Sequence, residues 1–263
     1  MPVLTRIRTA FAVLIGLRIA LGPYPRLAGQ PDALFRPLGV FKLLPGMPPL
    51  AVIVAVQVVG VVAAVVAVRN RRRAPFVAAW LCLLFLAGLR TSLGKVLHND
   101  TLMLIGTFPM LFDDEDGWSL DVGLAAVCLV YFFAGVAKLR HSGLTWVTGD
   151  NMRYVMLSAS RSGKPAFPAV ARAIGRSAGL SHLTAAFILG LELTFPLAYV
   201  VRKLRPWFAA AAVALHVGTW FTLGLDYWLW AATAALLLLA HPIARASARP
   251  PAAAAPVARS SPR

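Results

Sequence analysis

The stretch GLAAVCLVYFFAGVAKLR, residues 123–140, decides the fold class. Together with Val122 it makes an apolar segment of helix length that ends on Lys138. A membrane-crossing helix needs about 20 such residues, and this run is close to that length. Lys138 stands where the helix should leave the bilayer. Two readings of that lysine are open. Its long stem can carry the ammonium out to the headgroups as an anchor, or the amine can be a base held half out of water inside a bundle. The first makes a scaffold and the second a catalyst.

Composition agrees with a chain built mostly of such segments. Of the 263 residues, 59% are hydrophobic and 14% charged, with a mean hydropathy of +0.73. A soluble domain carries about 25% charged residues, so an all-α polytopic membrane bundle is expected. The net charge of +16 comes from 26 Lys and Arg against 10 acids. In a membrane chain that excess serves topology and lipid headgroups, and no nucleic-acid-binding signature accompanies it. Cys82 and Cys128 each lie inside apolar runs and read as core packing. Metal-ligand spacings and nucleotide-binding glycine motifs are absent, so no metal site is expected.

Apolar runs predict about eight transmembrane helices, near 9–22, 47–68, 74–90, 94–112, 121–139, 183–201, 206–223 and 226–241. The first resembles a signal peptide, but Arg18 interrupts it and no clean cleavage site follows, so a retained helix is expected. Residues 1–241 form one transmembrane domain on this reading. Residues 242–263, rich in Ala, Pro, Arg and Ser, read as a disordered tail. Basic clusters at 6–8, 69–73 and 202–205 fall on one face with the tail, which the positive-inside rule makes cytoplasmic. Both termini are then cytoplasmic. The acids at 113–116 and the basic residues of the outer loop 140–182 weigh against this orientation, though acids and longer loops count for less. In that outer loop a short amphipathic helix should begin near Asn151 with Asp150 as its cap. It would lie at the interface with Trp146 and Tyr154 as headgroup-level anchors.

Several polar residues collect toward the outer leaflet under this topology: Arg18, Arg90, Lys95, His98, Asp100, Lys138 and Asp226. Ionisable groups at membrane depth usually face a bundle interior or a wet cavity, so an outward-facing polar pocket is expected. Glu192 and His216 lie deeper. Each is nine residues from the short turn joining its helix to the next, about 13 Å from the inner surface. A Glu192–His216 contact would neutralise both, and a hydrogen bond from either to another helix is the alternative.

Three patches together resemble a known family: YFFAGVAKL at 131–139 followed by Trp146 and Gly149, LHNDTLMLIG at 97–106, and LHVGTWFTLG at 215–224. Their order and helical setting are similar to the horizontally transferred transmembrane (HTTM) domain. That domain is the membrane portion of vitamin K-dependent γ-carboxylases and their bacterial relatives. The resemblance spans roughly residues 5–240. It implies that Lys138 is the base that deprotonates a reduced naphthoquinone (menaquinol or vitamin K hydroquinone), with His98 assisting. Arg18, Asp100, Trp146, His216 and Asp226 are the expected substrate-binding residues. The family's large luminal domain has no counterpart after residue 241, so peptide carboxylation by this chain alone is not expected. Ala- and Arg-rich composition points to a bacterial inner membrane. The partners implied are the bilayer and a lipid-soluble small molecule. The alternative is a non-enzymatic scaffold or lipid-binding module that keeps the fold only. Transport has less support, because no repeated halves are visible.

Overall fold

A computed structural model describes residues 3–93, 98–113 and 117–247. Among these the chain is helical throughout, with no strand. The α-helices are α1 (Val3–Leu21), α2 (Leu50–Asn70), α3 (Arg73–Thr91), α4 (Thr101–Thr107), α5 (Trp118–Ser142), α6 (Thr145–Thr148), α7 (Asn151–Arg161), α8 (Pro168–Arg176), α9 (Ala178–Thr194), α10 (Leu197–Val200), α11 (Arg205–Leu223) and α12 (Trp228–Ser247). Four segments are long and apolar enough to cross a membrane: Leu50–Asn70, Arg73–Thr91, Trp118–Ser142 and Arg202–Leu223. Thr101–Leu111, Ala178–Thr194 and Trp228–Ala240 are apolar but shorter. The chain is therefore membrane-embedded, with four helices of spanning length among the described residues where eight spans were expected. The shortfall has local causes. Arg6, Arg8 and Arg18 dilute α1. The expected fourth helix begins only at Thr101, and Pro109 turns its end into the 3-10 segment Phe108–Leu111.

The core forms where α1, α2 and α3 pack on one another and α1 meets α12, while α5 packs on α4, α9 and α12. On α1 the residues Leu4, Ile7, Phe11, Ile15 and Ile19 recur every three or four positions and are all buried. By contrast α2 buries only Ile53, Gly60, Ala64 and Ala67, and its valines 52, 54, 58, 59, 62 and 65 face outward. Such a valine surface suits lipid rather than water. Trp80 donates its indole N–H to Thr107 at 3.1 Å, joining α3 to the α4 end. Where α4 crosses α5, a Cβ on Gly123 would lie 2.3 Å from the Gly106 carbonyl oxygen, so only glycine permits that approach.

Two helix ends matter for the site. Arg71 closes α2 in the left-handed region at φ 56°, and the extended Arg72 leads directly into α3 at Arg73, making the basic turn tight. Pro196 has no N–H to give the Glu192 carbonyl, so α9 ends at Thr194 and a short α10 follows at an offset. The loop 140–182 folds as α6, α7 and α8, with α7 and α8 packed on each other and on α9 and α11. The α7 helix starts at Asn151 as expected, yet the Asp150 carboxylate does not cap it. It accepts instead from Arg153 Nη1 at 2.7 Å. Tyr154 is exposed. Cys82 and Cys128 are unpaired, Cys128 within the core. Lys95, the acids 114–116 and residues 248–263 lie outside the described residues.

Candidate functional site

Residues 131, 135 and 138 of α5 repeat at helical spacing and so share one face of that helix. A Cβ on Gly135 would come within 3.1 Å of Glu192 Cβ on α9, so this glycine brings the two helices together one turn before Lys138. The result is an ion pair: Lys138 Nζ donates to Glu192 Oε1 at 2.7 Å. The Lys138 amine also lies 3.5 Å from the Ala134 carbonyl, and it sits 5.4 Å above the Trp146 ring of α6. Cation–π attraction and the carboxylate thus hold it from two sides.

This pair lines a cavity of about 460 Å³. Its apolar walls include Met152 and Met156 of α7, Ile174 of α8 and Phe187 and Ile188 of α9. His98, Trp146, His216, Tyr227 and Trp230 add aromatic and polar edges. Helices α7 and α8 roof the space, fastened by an N–H of Phe167 donating to the Phe221 carbonyl at 2.9 Å. Arg153 Nε adds a second tie to the Gly175 carbonyl at 3.3 Å.

A second polar pair stands beside the first. The Tyr131 hydroxyl and His216 Nε2 are 2.7 Å apart, and Tyr131 stacks on Phe195 with ring centroids 4.0 Å apart. His98 is held in turn by the Tyr227 hydroxyl at 3.0 Å, while its carbonyl accepts from Trp230 Nε1 at 3.0 Å. Three buried polar atoms on the cavity residues have no partner within the described protein: Glu192 Oε2, His216 Nδ1 and Trp146 Nε1. Buried polar groups are nearly always satisfied, so three free ones on residues that line an apolar space leave this wall with unmet hydrogen-bonding capacity.

The residues anticipated from sequence divide into two sets. Lys138, His98, Trp146 and His216 line this cavity together. Arg18, Asp100 and Asp226 do not; they form a separate ion cluster. Arg18 donates from Nε to Asp100 Oδ1 at 2.6 Å and from Nη1 to Asp226 Oδ2 at 2.8 Å. Arg90 Nη1 is 4.0 Å from Asp100. A guanidinium as buried as that of Arg18 needs carboxylates around it, and neutralising it is what Asp100 and Asp226 do there. The single outward pocket is therefore two sites. The expected Glu192–His216 contact is also replaced, by Lys138–Glu192 and Tyr131–His216. Trp146 places its ring under the Lys138 amine. Tyr131 and Tyr227 went unnoticed in the sequence. Tyr131 carried a usable signal, since it precedes Lys138 by two helical turns on the same face.

A group of three or more His, Cys, Asp or Glu side chains able to hold a metal is absent among the described residues. Compared with protein-family models, curated proteins and solved structures, the chain matches none.

Proposed function

We propose that this chain is an integral protein of a bacterial cytoplasmic membrane, with about eight spans and both termini cytoplasmic. It binds a lipid-soluble hydroxyl compound, a quinol or similar weak acid, in the cavity beside Lys138. One observation carries this reading: a buried acid–base pair 2.7 Å apart in the wall of an otherwise apolar cavity, with Glu192 Oε2 left free. A hydroxyl entering the cavity can donate to that oxygen. The Lys138–Glu192 pair then takes up the proton, the ligand O–H bond breaks, and the ammonium stabilises the oxyanion left behind. His216, already bonded through Nε2, offers Nδ1 to a second polar group of the ligand. The likeness of the 131–139 patch to the HTTM domain supports a lysine-based reaction of this kind, with His98 at the cavity edge.

The test uses the purified full chain with menaquinol and oxygen, measuring quinol binding and epoxide formation. Wild type should bind and turn over the quinol, and Lys138→Ala should lose turnover. Turnover unchanged in Lys138→Ala would sink the proposal. Binding without turnover, unaltered in Lys138→Ala, would instead favour the lipid-binding module without chemistry.

A further inference from the structure

A second cavity, of about 360 Å³, lies at the turn joining α11 to α12. Its lining is His216, Val217, Trp220, Asp226, Trp228 and Ala231. His216 belongs to both cavities and forms part of the wall between them. Unlike the first cavity, this one is edged by exposed groups: Trp220 is 53% and Trp228 37% accessible, and the Asp226 side chain is 47% accessible. The two indoles are not stacked on each other; Trp220 packs instead on Phe221, with centroids 5.0 Å apart.

We propose that this cavity binds the alkylammonium headgroup of a membrane phospholipid, held between Trp220 and Trp228 with Asp226 as counter-charge. Tryptophan alone is common at a membrane interface. Here two indoles and a carboxylate edge one concave space, and that combination selects for a cation. Indole faces attract ammonium groups through the ring quadrupole, more strongly than phenyl or phenol rings do. Asp226 is oriented for the role. Its Oδ2 is fixed by Arg18 at 2.8 Å and its backbone carbonyl by Asn99 at 2.5 Å. The cations that balance the cluster sit behind it, with Arg18 and Arg90 side chains only 5% and 18% accessible. What the cluster presents at the cavity mouth is therefore its negative end. The occupant is a lipid headgroup because the mouth opens beside the exposed apolar side chains Val217 and Trp220 of a spanning helix, where acyl chains would lie. This assignment does not depend on chemistry at Lys138.

The experiment has two arms. In the first, purified full-length chain is given equal amounts of phosphatidylethanolamine and phosphatidylglycerol, and the lipid retained is counted by native mass spectrometry. Wild type should retain phosphatidylethanolamine in preference by about three- to tenfold, the range expected of one or two cation–π contacts. Trp220→Leu, at an exposed position that leaves folding intact, should lower that preference, and Trp220→Leu with Trp228→Leu should abolish it. Trp220→Phe should keep part of it. In the second arm, ethanolamine and tetramethylammonium are titrated into lipid-free protein by calorimetry. Equal retention of both lipids, or a preference indifferent to the double substitution, overturns the proposal. Binding of the soluble amines with no lipid preference overturns the lipid assignment and leaves a site for a free amine.

Discussion

Breaking the Lys138–Glu192 pair from one side should destabilise the protein more than removing it altogether. The gross attraction at 2.7 Å is about 6 kcal/mol at an effective dielectric of about 20, and desolvation of both groups offsets most of it. What a single substitution leaves behind decides the measured loss. Lys138→Met strands a carboxylate only 9% accessible, so the upper part of the usual 3–5 kcal/mol range applies, about 4 kcal/mol. Glu192→Met strands an ammonium 22% accessible, which water and the Trp146 face relieve in part, so about 2–3 kcal/mol follows. The double variant replaces two charges by two apolar side chains of similar volume and should lie within about 1 kcal/mol of wild type. The coupling energy is then at least about 5 kcal/mol. Denaturant unfolding in detergent micelles, followed by circular dichroism, closes the cycle. Additive losses, or a Lys138→Met loss smaller than that of Glu192→Met, would refute the assigned partners or their burial.

Arg18→Met should cost about 3 kcal/mol, the lower end of the usual range, by leaving the buried Asp100 only the longer 4.0 Å contact to Arg90. Adding Asp100→Asn should recover part of that loss in the same unfolding assay, and no recovery would mean that Arg18 acts through packing alone. Gly123→Ala drives a Cβ into the Gly106 carbonyl and should cost about 1–3 kcal/mol or prevent folding. Gly190→Ala meets nothing within 4 Å and should be neutral or gain up to about 1 kcal/mol of helix propensity. Equal behaviour of these two glycines would contradict the α4–α5 crossing. Burial raises the Tyr24 hydroxyl above its ordinary value of 10.0, so its protonated state contributes stability that is whole below that pH and is lost as pH rises above it. Tyr24→Phe should therefore flatten the decline in melting temperature on the alkaline side, and an unchanged slope would assign that decline to other groups.

The parts of this arrangement visible in the sequence were those that depend on position along one helix. Lys138 is conspicuous because an apolar run of helix length ends on it, and the depth of Glu192 follows from counting residues from a turn. Counting gives height and not direction around the helix axis. Glu192 and His216 do lie on neighbouring antiparallel segments, but each faces α5, where Lys138 and Tyr131 wait at matching heights. The sign that α5 and not α11 would partner Glu192 was Gly135, whose missing side chain lets α9 come close. A glycine inside an apolar run has several explanations, so it could not decide the pairing by itself. The outer polar set failed for a related reason. Equal depth made Arg18, Asp100 and Asp226 look like partners of Lys138 in one pocket, whereas the burial of Arg18 draws two carboxylates to it as counter-charges in a separate cluster.

The ion pair also changes what kind of base Lys138 can be. A lysine lacking a counter-ion would have to act through its own lone pair. With Glu192 bonded to it, the carboxylate is the proton acceptor of the pair, and the amine becomes the group that steadies the resulting negative charge. These two mechanisms part company at one substitution. If Lys138 accepts the proton alone, Glu192→Gln removes a competing charge and turnover should persist. If the pair works as a unit, Glu192→Gln should abolish turnover as fully as Lys138→Ala, with quinol binding kept in the former because an amide still offers a hydrogen-bonding oxygen to the ligand.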